Sequence, residues 1–202
     1  MQGRGKHAGH ATGPGAFASV SVIPNEPRRD GSRAALWTVF GVVIVDLIGF
    51  GIVMPVLPFY AKELGASATT LGLLLTSHSA AQFVFSPVWG RLSDRVGRRP
   101  VLLFTVAGTA TALLLLGLAK TLLGLFLARM LAGAFAANLS VASAYIADAT
   151  PPQERTRWMG MLGASFGVGF LIGPAIGGAL SPFGYRVPFL FAAGLAACNW
   201  LF

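Results

Sequence analysis

Long apolar stretches alternate with short polar ones from residue 34 to the end of the chain. The stretches cover about 34–58, 69–90, 101–119, 122–147, 158–180 and 187–202. A helix needs about 20 predominantly apolar residues to cross the hydrocarbon core of a bilayer. The first five lengths therefore predict five complete membrane-spanning α-helices. The sixth run holds about sixteen residues, short of a crossing and without a basic flank. That predicts that the chain is the N-terminal part of something longer. Residues 1–33 differ in kind, being rich in Gly, Pro, Arg and Ser. Their one mildly apolar segment, 16–23, is too short and interrupted for a signal-peptide core. They are expected to form a disordered cytoplasmic tail, with Arg28, Arg29 and Arg33 near anionic headgroups.

The polar stretches orient the spans. Gly90-Arg91-Leu92-Ser93-Asp94-Arg95-Val96-Gly97-Arg98-Arg99 packs four arginines and an aspartate into ten residues. Such a run cannot lie in hydrocarbon and is expected to be a tight loop at a membrane face. Arg4, Lys6, Arg28, Arg29, Arg33, Arg91, Arg95, Arg98, Arg99, Arg155 and Arg157 fall in alternate polar segments, against Lys62, Lys120 and Arg186 in the others. Basic residues concentrate on the cytoplasmic side, so the N-terminus is expected inside, in the cell (inner, cytoplasmic) membrane. The net charge of +8 is accounted for by this bias, and no nucleic-acid partner is needed.

Composition narrows the chemistry. The chain is 54% hydrophobic and 11% charged, less than half the charge of an ordinary soluble domain. Cys198 is its one cysteine, lies in an apolar run and is read as packing. There is no Cys/His cluster at metal spacing, no phosphate loop and no nucleophile arrangement. No enzyme activity, metal or cofactor is expected.

Ionisable side chains at depth carry the functional signal. A charge at mid-bilayer costs roughly 2.5–3.5 kcal/mol on insertion scales, so it faces protein or water and is usually functional. Asp46 falls near the middle of the first span, and Arg129 lies in the fourth. Asp46 is a candidate for proton or cation coupling; a structural pair with Arg129 is the competing reading. His78 and Gln82, four residues apart, share one face of the second span. With Asn138, they are candidates for a substrate cavity, though each also suits an ordinary hydrogen-bonded interior residue. In the fifth span, Gly169, Gly173 and Gly177 recur every fourth residue and line one face, which allows close helix packing in lipid. Pro174 adds a bend. Trp37, Trp89, Trp158, Tyr60 and Tyr185 fall near span ends, where an interfacial belt accounts for them.

The arginine-rich run resembles the signature between spans two and three of the major facilitator superfamily. Gly169-x-x-x-Gly173-Pro174-x-x-Gly177-Gly178 resembles that superfamily's antiporter signature. Asp46-x-x-Gly49-x-Gly51-x-x-x-Pro55-x-Leu57-Pro58 and Arg129-x-x-x-Gly133 are similar to the same group. Ala144-Tyr145-Ile146-Ala147-Asp148 and Gly163-Ala164-Ser165-Phe166-Gly167 are similar to the tetracycline/proton antiporters. The resemblance covers about residue 36 to the end of the chain.

The resemblance implies an all-α membrane protein with six transmembrane helices, the N-terminal half of a major-facilitator fold. It implies export of a small amphiphilic, drug-like compound in exchange for protons by alternating access. The missing partner would be a C-terminal half or a second copy of the chain. The cavity residues would be Asp46, Arg129, Gln82, His78 and Asn138. A cytoplasmic gate would comprise Gly90, Asp94, Arg95, Gly97, Arg98, Arg99 and Asp148, with Arg98 reaching Asp148 and Asp94 accepting N–H groups at a helix N-terminus. For Arg91, Arg95 and Arg99, setting topology is explanation enough. Tetracycline exporters carry an acidic residue in the third span; the comparable 108–113 stretch has none, which argues against tetracycline itself. A sugar or metabolite uniporter or symporter of the same fold, a non-transporting six-span scaffold and a nonfunctional fragment stand as alternatives.

Overall fold

The computed structural model describes residues 31–201, with side chains from residue 34. The expected cytoplasmic tail, residues 1–30, lies outside the described residues. Seven α-helices follow one another among them: α1 (Gly31–Glu63), α2 (Ala68–Val96), α3 (Arg98–Leu118), α4 (Leu122–Phe135), α5 (Asn138–Ala149), α6 (Pro152–Leu180) and α7 (Arg186–Trp200). A single 3-10 turn, Ser181–Phe183, joins α6 to α7. Among the described residues, four stretches are long and apolar enough to cross a membrane: Ala34–Glu63, Arg98–Leu118, Leu122–Ala149 and Pro152–Phe183. α2 is 29 residues long but carries Thr, Ser, His and Gln through its middle. α7 has 15 residues.

Helix ends follow local chemistry. Ser67 caps α2 by accepting the Thr70 N–H at 3.1 Å, and Thr121 caps α4 by accepting the Gly124 N–H at 3.1 Å. Such caps satisfy backbone donors that a helix start leaves open. Pro152 opens α6 where its missing N–H costs nothing. Pro55 and Pro58, expected at the outer end of the first span, lie inside α1 instead, which runs on to Glu63. Spans that must satisfy every backbone group internally favour continued helix over an early turn.

The arginine-rich run is not a loop. α2 continues to Val96 and α3 begins at Arg98, leaving Gly97 alone between them at φ 110°, a conformation only glycine adopts freely. Ser93 turns inward and is buried, while Arg91, Asp94 and Arg95 are exposed. An amphipathic turn thus carries the charges without breaking the helix. Gly90 permits no close approach, since a Cβ there would meet nothing within 4 Å.

The expected fourth span is broken rather than continuous. Ala136 and Ala137 leave the helical path between α4 and α5. Freed carbonyls at the break are met from α2: the Trp89 indole N–H donates to the Ala134 oxygen at 2.5 Å, and the Gln82 amide donates to the Ala136 oxygen at 2.9 Å. Trp89 is therefore tied into the interior, its ring tilted against Phe104 and Phe135, rather than held only at an interface. Trp158 is likewise buried, edge-on to Trp37.

Packing arranges the helices around two apolar clusters. One lies toward the end that carries the arginine run and joins Val43, Leu47, Val106, Val141, Ile146 and Leu162. The other lies toward the opposite end and joins Ile52, Leu57, Leu74, Leu116, Leu125 and Phe189. The outer surface is apolar as well: Phe83, Leu123 and Leu171 are 83%, 68% and 76% exposed. A coat of that kind suits lipid rather than water. Cys198 is exposed on this surface, not packed.

α1 and α6 touch through glycine. A Cβ on Gly173 would stand 2.6 Å from the Gly51 backbone, one on Gly169 2.7 Å from Leu47, and one on Gly177 2.9 Å from the Ile52 oxygen. Gly178 turns away and is open. Over-packing such a contact costs roughly 1–3 kcal/mol. Gly173→Val should therefore lower the thermal stability of the purified protein by about that amount, and Gly178→Ala should leave the melting temperature unchanged; a scan in detergent checks both.

Candidate functional site

A polar layer separates the two apolar clusters. α1 supplies Asp46 between Val43 and Phe50, α2 supplies His78, α3 Thr109, α4 Arg129, and the first turn of α5 supplies Asn138. His78, Arg129 and Asn138 are buried, at 7%, 2% and 1% exposure. α2 and α4 approach closely at Gly133, where a Cβ would strike the His78 carbonyl. That approach is what brings His78 to Arg129.

The break between α4 and α5 sets the geometry of the acid. Asn138, placed by the break at the start of α5, donates from Nδ2 to Asp46 Oδ1 at 2.9 Å. Asp46 makes no ion pair with Arg129, the pairing weighed from the sequence, although both line one cavity. That cavity is about 50 Å³ and is lined by Asp46, His78, Thr109 and Arg129 together with Phe50, Val53, Leu113, Ala132 and Ala136. Gln82 is not among the lining residues; its amide is committed to the helix break.

Four buried polar atoms in this layer make no protein hydrogen bond: His78 Nδ1, Thr109 Oγ1, Arg129 Nε and Asn138 Oδ1. Buried polar groups are ordinarily paired. A carboxylate, a guanidinium and an imidazole around one small cavity can exchange protons with, or bind, a polar solute. Thr109 is not marked by the sequence, where its stretch stands out only for lacking an acid. The span carries Thr105, Thr109 and Thr111, and only the fold separates them: Thr105 and Thr111 bond to their own helix while Thr109 does not.

The end bearing the arginine run forms a second polar cluster. Arg98 is its hub: Nη1 contacts Asp94 Oδ1 at 2.5 Å and Ser93 Oγ at 2.6 Å, and Nε donates to Asp148 Oδ2 at 3.1 Å. Asp94 thus pairs with an arginine one turn along instead of capping a neighbouring helix. Both carboxylates are well over half exposed, so each pair is worth little on its own. Their geometric effect is to join the α2–α3 corner to the end of α5. Arg95 and Arg99 are exposed and take no part in these ion pairs.

Apolar helices coated for lipid around a buried polar layer define a multi-pass membrane protein. Residues 39–202 match the family model described as Major Facilitator Superfamily, and the chain belongs to that superfamily. Its members are transporters, not enzymes. The chain is 42% identical over 163 residues to the "Tetracycline resistance protein, class D" of Salmonella ordonez, covering 79% of this chain and 41% of that relative. It is 35% identical over 155 residues to "Multidrug resistance protein 2" of Bacillus subtilis (strain 168), covering 76% of this chain and 39% of that relative. The crystal structure of the human organic anion transporter MFSD10 (TETRAN) aligns with a TM-score of 0.73 at 27% identity, over 86% of this chain and 47% of that one. The chain thus spans about two fifths of the length of the curated relatives it matches.

The Asp46–Asn138 contact yields a direct check. Asp46→Ala and Asn138→Ala in a double-mutant cycle on thermal stability should show a coupling of about 0.5–3 kcal/mol, the range for directly hydrogen-bonded neighbours. Additive effects would deny the contact.

Proposed function

We propose that this chain forms the six-span N-terminal half of a secondary transporter that exports a small amphiphilic compound in exchange for protons. α4 and α5 together count as one span, and α2 and α7 complete the six beside the four long apolar stretches. The N-terminus is cytoplasmic in this reading, which the distribution of arginine and lysine supports. Transport proceeds by alternating access, with this half rocking against a second one around the polar layer.

The observation that carries the proposal is the meeting of Asp46, His78 and Arg129 on one cavity between four helices. Buried charge is costly in hydrocarbon and needs a compensating use. Asp46 serves as the proton site, with Asn138 holding its carboxylate in place. Arg129 supplies fixed positive charge across the cavity. At the far corner, Arg98 latches α2 and α3 to α5 through Asp94 and Asp148, and the exposed pairs can break and re-form as the helices move. The tightly packed glycine face of α6 against α1, with Pro174 in that helix, supplies a smooth contact for the rocking. The similarity to tetracycline and multidrug resistance proteins supports an amphiphilic substrate. α3 holds no acidic residue, and Thr109 takes the cavity position on that helix, so the substrate is expected to differ from tetracycline.

Proton-driven efflux from everted vesicles tests this in the longest reading frame that contains the chain. Asp46→Asn should cut pH-gradient-driven transport by about a hundredfold or more, the range expected for loss of a positioned proton-transfer group, while downhill substrate exchange persists. Undiminished coupling at normal expression would refute the role of Asp46.

A further inference from the structure

A second cavity, about 260 Å³, opens at the arginine-bearing end among α1, α3 and α5. It shares no lining residue with the Asp46 cavity, and the proposed function makes no use of it. Its lining divides into two parts. Thr38, Arg98, Arg99 and Tyr145 supply the polar part; Val39, Leu102 and Val141 supply much of the apolar part. No carboxylate lines it. Asp94 and Asp148 hold Arg98 from outside the cavity, through Nη1 and Nε.

Arg99 makes no ion pair among the described residues, and the Tyr145 hydroxyl makes no hydrogen bond there. The adjoining helix start adds to the positive character: Gly97 offers α3 no side-chain cap, and its first turn has no acidic residue. A lined space of this size exceeds several water molecules at about 30 Å³ each. It therefore has room for a phosphate and its ester arm.

We propose that this cavity binds the phosphate of an anionic phospholipid headgroup. Guanidinium groups recognise phosphate oxygens through paired, charge-assisted hydrogen bonds, and basic pockets between helices at a membrane face bind acidic lipid heads. Arg99 and the free edge of Arg98 contact the phosphate, and Tyr145 donates from its hydroxyl. The apolar side of the cavity takes the glycerol and the first methylenes of an acyl chain, a division that a soluble phosphate would not use. Because Arg98 also holds Asp94 and Asp148, a bound headgroup would tie lipid composition to the α2–α3 corner.

Native mass spectrometry of the solubilised full chain, exchanged against equal amounts of phosphatidylglycerol and phosphatidylcholine, tests this. Phosphatidylglycerol should be retained about fivefold more strongly, the order expected for one arginine near an acidic headgroup. Arg99→Ala should abolish most of that preference. Arg95→Ala removes the same charge from the exposed end of α2, outside the cavity, and should preserve it. Equal retention of the two lipids would overturn the proposal, as would equal loss in both variants. Displacement of the lipid by millimolar inorganic phosphate would also overturn it, showing a site for a soluble anion.

Discussion

Asp46 and Arg129 sit on helices whose remaining residues are at home among acyl chains, and neither can be left facing them. The fold turns both inward, into a layer between two apolar clusters. Several other features serve that arrangement. Gly133 lets α2 and α4 approach until His78 lies against Arg129. The interruption at Ala136 and Ala137 swings Asn138 onto Asp46, and it is tolerated because Trp89 and Gln82 meet the carbonyls it exposes. In a bilayer a broken helix needs such replacements, since no water is present to supply them.

The same economy governs the contact between α1 and α6. Lipid tails are as apolar as leucine, so helices in a membrane gain little from burying one another's side chains and must associate through close packing. Glycines at 169, 173 and 177 bring backbone against backbone, and Leu47, Gly51 and Ile52 receive them on α1. The arginine-bearing corner solves a different problem. There the charges can reach water, so Arg98 gathers two exposed carboxylates in pairs that are individually weak and easily exchanged. A close-packed glycine seam and an exchangeable ionic corner are what the proposed rocking against a second half would use.

Much of this was legible in the chain. Apolar length located the long helical stretches but ran α4 and α5 together as one, and glycine spacing identified the α6 face, because both follow from one-dimensional periodicity. The family resemblance rested on Asp46, Arg129, the arginine-rich run and the α6 glycines, and the match over residues 39–202 agrees with it. Partners across space were less accessible. Asp46 was weighed against Arg129, but Asn138 reached it first, because a helix break with no proline or glycine at Ala136 and Ala137 leaves no local signal. Gln82 was read as cavity lining because its spacing from His78 puts both on one face; the carbonyls it satisfies exist only once α4 is interrupted. The arginine run was expected to be a loop because its charge density excludes hydrocarbon. It excludes burial, though, not helix, and Gly97 alone suffices for the turn.

For Asp46 to act as described, position 46 must face a water-accessible cavity between helices rather than lipid. With Cys198→Ser removing the one native thiol, Asp46→Cys in vesicles can be challenged with charged, membrane-impermeant methanethiosulfonates and with a lipid-soluble maleimide. A cysteine facing that cavity should be modified by the small charged reagents. Reaction with the lipid-soluble reagent alone would place that side chain among acyl chains and contradict it.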